Sequence, residues 1–404
     1  MANGSVRAER SAERRSDITA AATRLFQRNG YVAVSVDEIG QAVGVTGPAM
    51  YRHFSSKQEL LAEVILSFLD DIARRRERLA QPASEPPRAV AWAAAVDASL
   101  HDPGSLVVLL RLLGHLDAHN LQRAAEAHDK VFGPCEGSLV TVGADSAHLK
   151  VRAAAGVLLG TMLPRSTARL PRADFVRRAA DAVLDYPVSD PVPGQKAPAA
   201  ATGAGALSHA SRREAILAAA TQLFRERSYH GVSLRDIGDQ VGITASAIRR
   251  HFDSKDDLLS ALFNRGGEQV AAAIDGVLRE SSDPGQAVAA MLGSYARLAV
   301  ESRDLNYIYL TEMHSLPEEQ RLERRRMQRI HVDELSSLLN RQTPELSKGQ
   351  SWMRASAAYS LINEVVLNDQ LVMRPNLASE LAELALAVTR VGPRPRVAAS
   401  PHSR

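Results

Sequence analysis

The sequence predicts an all-α protein composed of two similar halves. Alanine and leucine are abundant while aromatic residues make up only 4%, a composition that favours helix over sheet. Apolar residues recur at helical spacing, without the alternation that is typical of strands. Residues 18–61 return without a gap as residues 216–259, and about half of the aligned positions are identical. One helical unit is therefore present twice in a chain of 404 residues.

The first two helices of each copy are predicted by apolar spacing and by their caps. Apolar side chains recur at helical spacing in residues 18–26 and again in residues 216–224. The second helix of each copy opens with a capping-box pattern and closes at a glycine suited to a left-handed cap. These residues are Ser35, Glu38 and Gly44 in the first copy, and Ser233, Asp236 and Gly242 in the second.

A short third helix and a long fourth helix follow in each copy. Thr46 and Thr244 are suited to cap the third helix, and Pro48 stands in its first turn, where a missing N–H costs nothing. The long helices are predicted from residue 57 to about residue 79, and from residue 255 to about residue 280. The rest of each half predicts a bundle of roughly five helices.

The domain boundaries follow from a stretch without periodic apolar positions. Residues 187–210 are rich in Pro, Ala and Gly, which is typical of a linker. The predicted units are a first helix-turn-helix domain at 13–60, a first C-terminal helical domain at 61–186, the linker at 187–210, a second helix-turn-helix domain at 211–258 and a second C-terminal helical domain at 259–391.

Composition limits the cellular context. The net charge of +3 permits a nucleic-acid partner but does not by itself indicate one. Cys135 is the only cysteine, which excludes an intramolecular disulfide and a cysteine-rich zinc site. The sequence has no apolar run of about 18 residues and no apolar signal segment. We therefore expect a cytoplasmic protein without a membrane partner, a metal or a cofactor.

The repeated motifs resemble those of the TetR/AcrR family of bacterial regulators. Each copy carries Leu-Phe near the end of its first helix, a Tyr followed by Val-Ser, then Ile-Gly, Val-Gly-Val/Ile-Thr, His-Phe-x-x-Lys and Leu-Leu. The resemblance implies two protomers fused in one chain, each with a three-helix helix-turn-helix domain and a helical-bundle C-terminal domain for ligand binding and dimerisation. Two separate chains usually pair in this family, so here one chain is expected to form an intramolecular pseudo-dimer.

The resemblance also implies which side chains meet double-stranded operator DNA. Small residues at the start of the third helix would approach base edges, while Tyr51, His53 and Lys57 would contact phosphates and Arg52 either a guanine or a phosphate. Arg235 stands at a further family contact position, where the first copy has Asp37. The expected contacts are Thr46, Gly47, Pro48, Ala49, Tyr51, Arg52, His53 and Lys57 in the first copy, and Arg235, Thr244, Ala245, Ser246, Arg249, Arg250, His251 and Lys255 in the second.

The two copies differ at positions that face DNA. Tyr51 is replaced by Arg249, which can still bind phosphate, and Gly47-Pro48 is replaced by Ala245-Ser246. We therefore expect the two halves to read different half-sites of an asymmetric operator.

A small apolar or amphipathic effector is implied mainly by the resemblance. Aromatic and sulfur side chains are concentrated in the second C-terminal region, where they either line a pocket or form ordinary core. They are Tyr295, Tyr307, Tyr309, Met313, Trp352, Met353 and Tyr359.

An interface between the halves is expected near four segments, at residues 148–162, 175–184, 352–367 and 377–388. In the family two chains supply such a four-helix contact, and here the two halves would supply it internally. The sequence leaves open whether two fused chains pair further into a homodimer.

The predicted function is a sequence-specific, ligand-responsive transcriptional regulator, most simply a repressor. The alternative is a ligand-sensing or partner-binding protein in which one helix-turn-helix has lost DNA binding. A non-specific architectural DNA protein is a third hypothesis. An enzyme is not expected, because the sequence lacks a Gly-rich phosphate loop and a nucleophile elbow.

Overall fold

The computed structural model of the chain describes residues 2–80, 87–132, 146–162, 172–188 and 211–392. Within these ranges every regular element is helical and no strand occurs, so the all-α prediction is confirmed. Cys135 and nearly all of the predicted linker lie outside the described residues. The domain boundaries therefore stay a prediction.

The first half begins with three helices in helix-turn-helix order and continues into longer ones. A 3₁₀ turn at Leu113–His115 follows the sixth helix. The helices are α1 Ala2–Asn29, α2 Val36–Ala42, α3 Gly47–Met50, α4 Lys57–Leu79, α5 Pro87–His101, α6 Pro103–Leu112, α7 Ala118–Phe132, α8 Ser146–Thr161 and α9 Arg172–Leu184.

The second half repeats this order. A 3₁₀ turn at Met313–Ser315 takes the place of the turn after α6, and another lies at Leu371–Met373. The helices are α10 Arg212–Arg227, α11 Leu234–Val241, α12 Ala245–Ile248, α13 Lys255–Glu280, α14 Pro284–Glu301, α15 Arg303–Glu312, α16 Glu318–Gln342, α17 Lys348–Val366 and α18 Leu377–Thr389.

The predicted caps form, with one exception. Ser35 and Glu38 exchange the two hydrogen bonds of a capping box, and Ser233 and Asp236 do the same. The following glycines have φ of 69° and 73°, the left-handed conformation that the sequence predicted. Thr244 accepts a hydrogen bond from the Ala247 N–H at 3.2 Å. Thr46 also occupies the predicted N-cap position of α3, but its side chain makes no cap bond, and the Ala49 N–H instead reaches the Thr46 carbonyl at 2.9 Å.

The two halves meet along α8 and α17. A Cβ built on Gly156 would lie 2.6 Å from Leu361 Cα, and one on Gly160 would lie 2.7 Å from Ala357 Cα. Glycine at these two positions therefore permits the two helix backbones to approach closely. Ser356 Oγ donates to the Gly160 carbonyl at 2.7 Å, a buried hydrogen bond between the halves. Helices α9 and α18 pack against this pair and against each other, which gives a four-helix contact at the predicted segments.

A buried carboxylate adds a polar link across this contact. Glu364 of α17 is fully buried and pairs with Arg152 of α8 and, at 3.1 Å, with Arg111 of α6. Both carboxylate oxygens thus face arginines from the other half. Removing one partner of such a group leaves an uncompensated buried charge, which is strongly destabilising.

The apolar core is distributed unevenly between the halves. One continuous cluster includes the first helix-turn-helix, its bundle and the helices α14, α16, α17 and α18 of the second half. The second helix-turn-helix packs in a separate cluster with α13 and with Ile308 and Leu316. The second DNA-binding domain is therefore joined to the common core through α13 and α15.

Candidate nucleic-acid interface

The first reader helix, α3 with the turn to Phe54, is held by two buried side chains one helical turn apart. Met50 and Phe54 are 1% and 3% exposed, so the opposite side of this short segment faces solvent. Tyr51 lies on that solvent-facing side and is 57% exposed. The outward side chains are those of Thr46, Pro48, Tyr51 and Arg52, while Gly47, Ala49, His53 and Lys57 are half-buried.

The second reader helix, α12 with the turn to Phe252, has the same construction. Ile248 and Phe252 are buried at the matching positions. Two adjacent arginines then point outward where the first copy has Tyr51 and Arg52. The exposed set consists of Arg235, Thr244, Ser246, Arg249, Arg250 and His251, while Ala245 and Lys255 are half-buried.

The lysine of each His-Phe-x-x-Lys motif contacts the segment between the first and second helices of its own DNA-binding domain. Lys255 Nζ donates to the carbonyls of Tyr229 and Val232, both at 2.8 Å, and lies 4.1 Å from the centre of the Tyr229 ring. Lys57 Nζ lies 4.3 Å from the Tyr31 ring centre and donates to the Val32 carbonyl at 3.4 Å. Partial burial lowers the pKa of both lysines below its usual range.

This structural role of the two lysines was not predicted from the sequence. The Tyr and the Lys recur at the same register in both copies, which was the available signal. A direct phosphate contact by either lysine stays a prediction. Two of the three N–H donors of Lys255 are already directed at carbonyls, so its contact with a phosphate would use the third.

An arginine of the first helix supports the end of each reader segment, and it too was missed. The Arg15 guanidinium lies 4.2 Å from the Phe54 ring centre, donates to the His53 carbonyl and pairs with Glu63 at 3.0 Å. Arg213, at the matching position, lies 5.0 Å from the Phe252 ring centre. These contacts fix the C-terminal end of each reader relative to the first helix.

The two readers differ in charge. Arg235 is exposed beside α12, whereas the first copy places the Asp37 carboxylate over α3. A Cβ on Gly47 would lie 2.0 Å from Asp37 Oδ1, so glycine at this position accommodates that carboxylate. In the second copy both positions change: Arg235 replaces the aspartate, and Ala245 replaces the glycine. The substitutions therefore form a matched pair, and the second reader presents the more cationic surface.

A cavity of about 260 Å³ lies among α13, α14, α15, α16 and α17 of the second half. Tyr295 donates to Asn363 Oδ1 at 2.9 Å, and Asn306 Nδ2 donates to the same oxygen at 3.2 Å. Burial raises the pKa of Tyr295 to about 12 and lowers that of His331. Among the described residues, Arg324 Nε and His331 Nε2 are buried without a hydrogen-bond partner. These two nitrogens have no exposed surface, and the exposed wall of the cavity is largely apolar.

The seven residues predicted for a ligand pocket separate into three groups. Tyr295 and Tyr309 line this cavity. Tyr307 and Met313 line a different cleft, between the halves. Met353 and Tyr359 are buried and Trp352 is half-buried, and these three are not among the described residues that line the cavity. Tyr359 packs edge-on against Tyr295 with 4.4 Å between ring centres, so it supports the wall from behind.

No helix in the described ranges has both the length and the apolar character needed to cross a membrane.

Solved structures of similar proteins include PfmR from Thermus thermophilus, a TetR family transcriptional regulator. It is 24% identical with a TM-score of 0.40, and the match covers 44% of this chain and 97% of that one. AibR, solved in complex with isovaleryl coenzyme A and operator DNA, is 20% identical with a TM-score of 0.37, covering 44% of this chain and 96% of that one.

Curated relatives match over a shorter stretch. The transcriptional activator FasR of Mycolicibacterium smegmatis is 42% identical over 60 residues, which are 15% of this chain and 27% of that protein. The transcriptional repressor KstR2 of the same organism is 31% identical over 75 residues, which are 19% of this chain and 37% of that protein. The matches thus span well under half the length of these relatives.

The family assignment depends on the sequence profile of the DNA-binding domain. The profile described as "Bacterial regulatory proteins, tetR family" matches residues 18–64 and again residues 216–262. Each match begins in the first helix of a copy, contains its reader helix and ends in the following long helix. The chain therefore belongs to the TetR family, as a tandem member that carries the family's DNA-binding domain twice.

Proposed function

We propose that this chain is a sequence-specific transcriptional regulator whose two readers bind one DNA operator as an intramolecular pseudo-dimer. The observation that carries the proposal is the presence of two exposed reader segments of the same construction on one polypeptide. Dimeric helix-turn-helix proteins place their readers about one turn of DNA apart, roughly 34–36 Å. The named relatives include an activator and a repressor, and repression is the simpler assignment for a protein that occupies an operator.

The proposed contacts follow the exposed surfaces. Pro48 and Ser246 stand at the base-facing start of each reader, while Tyr51, Arg249 and Arg250 have the length and polarity to reach phosphates. Because an exposed arginine pair replaces a tyrosine and one arginine, the second reader contributes more of the electrostatic binding energy. Different side chains at the base-facing positions give the operator two unlike half-sites.

Support for one chain acting as a pseudo-dimer comes from the contact between the halves. The close approach of α8 and α17, with the buried Glu364 between Arg111 and Arg152, gives this contact a specific geometry. In the usual arrangement of the family two separate chains supply these four helices, whereas here one chain supplies all four. A further homodimer of fused chains would carry four readers, and the molar mass of the DNA complex distinguishes the two arrangements.

We place the effector in the cavity among α13–α17. The exposed wall is largely apolar and carries a few hydrogen-bonding side chains such as those of Asn306 and Asn363, so it suits a ligand with an apolar body and a polar end. Helix α13 starts at Lys255, directly after the second reader, and its middle part lines the cavity. A ligand that shifts α13 moves the second reader between two positions. It can shift the equilibrium between these positions only as far as its affinities for the two states differ.

The proposal is tested by selecting duplexes from a random pool with the intact chain and measuring affinity by gel shift. An R249Q/R250Q variant disables the second reader, and R279Q, an exposed arginine of α13, serves as the control. We expect the selected duplexes to contain two unlike half-sites, with strong loss for R249Q/R250Q and none for R279Q. Unchanged affinity for R249Q/R250Q would favour the alternative in which only the first reader binds DNA.

A further inference from the structure

A second, larger cleft of about 590 Å³ lies between the two halves. Its walls come from the end of α1 with the turn 30–33, from α6, and from α15, the Met313–Ser315 turn and α16 of the other half. Small-molecule sites in proteins commonly have volumes of about 300–1,000 Å³. We refer to it as the junction cleft, and none of the described residues of α3 or α12 lines it.

The junction cleft surrounds a tight contact between the first reader domain and the second half. Gly30 ends α1 with φ of 74°, and a Cβ at this position would lie 2.9 Å from His314 Cε1. The first DNA-binding domain therefore lies directly against the Met313–Ser315 turn. The adjoining cleft is likewise bounded by residues of both halves.

Arginines outnumber acids on the walls. The charged lining groups are Arg28, Arg111, Arg321, Arg325, Glu312 and Glu318. Both acids are engaged within the protein: Glu318 pairs with Arg321 at 3.0 Å, and Glu312 accepts from the Tyr229 N–H at 3.2 Å. Arg111 is directed at the buried Glu364.

The other two of the four lining arginines come one from each half. Arg28 of α1 and Arg325 of α16 are exposed, and within the described part of the chain neither forms an ion pair. Two lining histidines, His115 and His314, do not add to this charge at neutral pH, because burial lowers the pKa of both. The cleft thus combines a polar, ligand-sized volume with two guanidinium groups available for an anion.

We propose that the junction cleft binds a small polyanion carrying two or more phosphate groups, held by Arg28 from one half and Arg325 from the other. Guanidinium groups bind phosphate oxygens through paired, charge-assisted hydrogen bonds, which suits them to this role. A ligand that engages arginines from both halves fixes their separation. This site is distinct from the apolar cavity among α13–α17, and it provides a second input to reader spacing.

The test uses inorganic triphosphate as the probe and isothermal titration calorimetry on the full chain without DNA. The cleft variant is R28Q/R325Q. The matched control is R24Q/R326Q, which removes the same charge from exposed positions of the same two helices that do not line the cleft.

We expect one triphosphate per chain, a loss of affinity of about tenfold or more in R28Q/R325Q because two charge-assisted contacts disappear, and little change in the control. Absence of binding to the unmodified chain at millimolar triphosphate would overturn the proposal, as would equal losses in both variants. Gel shifts with selected operator DNA on the same preparations keep the two proposals apart. Loss of DNA binding with retained triphosphate binding would count only against the proposed function.

Discussion

At the scale of single residues, the two copies use the same Lys–Tyr pair with different strength. Lys255 makes two hydrogen bonds of 2.8 Å to carbonyls of the segment before α11, whereas Lys57 makes one of 3.4 Å. Both ammonium groups also lie over a tyrosine ring. The second copy therefore depends more on its lysine for the position of that segment.

Replacement by methionine keeps the aliphatic stem and removes the charge, so it isolates these bonds. We expect Lys255→Met to lower the free energy of unfolding by about 2 kcal/mol and Lys57→Met by less than about 1 kcal/mol. Urea denaturation of the two variants measures the difference. Equal losses would show that the carbonyl bonds of Lys255 contribute nothing beyond the ring contact.

The exposed arginines of the second reader predict a change in salt dependence. Each phosphate contact releases counterions, so each lost contact flattens the log–log dependence of DNA affinity on salt by about one unit. Arg249→Gln and Arg250→Gln should each do so across unrelated DNA sequences if both bind phosphate. A change confined to one base pair of the operator would instead assign that arginine to base recognition.

His128 predicts a loss of stability in mild acid. Its side chain is 1% exposed in α7, stacks on Phe132 and has a pKa lowered by burial to about 4. The unfolded chain has the ordinary histidine pKa, so between about pH 6.5 and 4 the unfolded state binds the extra proton and stability falls as pH falls, by up to about 3 kcal/mol. His128→Gln should flatten the dependence of the melting temperature on pH over this range. His101→Gln, at an exposed position, should leave that dependence unchanged.

At the scale of helices, the contact of α8 with α17 depends on the absence of side chains. A methyl group on Gly160 would meet Ser356 O at 2.5 Å and Ala357 Cα at 2.7 Å, both backbone atoms that cannot turn aside. The helices must then separate, and the contacts around them are lost together.

Gly160→Ala is therefore expected to destabilise the chain by about 1–3 kcal/mol. The matched control is Gly293→Ala in α14, where a Cβ has no atom within 4 Å and should be neutral or stabilising by up to about 1 kcal/mol. Thermal denaturation compares the two. A stable Gly160→Ala variant would show that this interface tolerates a wider helix separation.

The helices and their caps were largely predictable from the sequence, because these signals are local. The capping boxes, the left-handed glycines and the starts of α4 and α13 all follow from residues within one or two turns. The cavity was not predictable, because Tyr307 and Tyr309 are two residues apart on α15 yet line different spaces. The role of Arg15 also depends on Phe54 and Glu63, which are distant in sequence.

At the scale of the whole molecule, the fused halves are no longer equivalent. The first reader domain shares the main core, while the second is joined to it through α13 and α15. The cavity proposed for an effector lies in the second half, against that same α13. Sensing is thus expected to act mainly on the more cationic reader, with the first as the fixed reference.

The buried Glu364 predicts how strongly the halves are joined. Glu364→Gln removes the charge opposite Arg111 and Arg152 and is expected to cost about 3–5 kcal/mol, because two arginines then lose their carboxylate. Glu345→Gln, at an exposed position without an ion pair among the described residues, should have little effect. Similar unfolding midpoints for both variants would mean that packing alone holds the halves together.

The central claim, that two readers of one chain bind one operator together, is tested most directly by a hydroxyl-radical footprint titrated with known amounts of protein on a selected duplex. Two protected patches about one helical turn apart, reaching saturation together at one chain per duplex, are the predicted result. A single protected patch at saturation, or a second patch that fills only after a second chain binds, would contradict it.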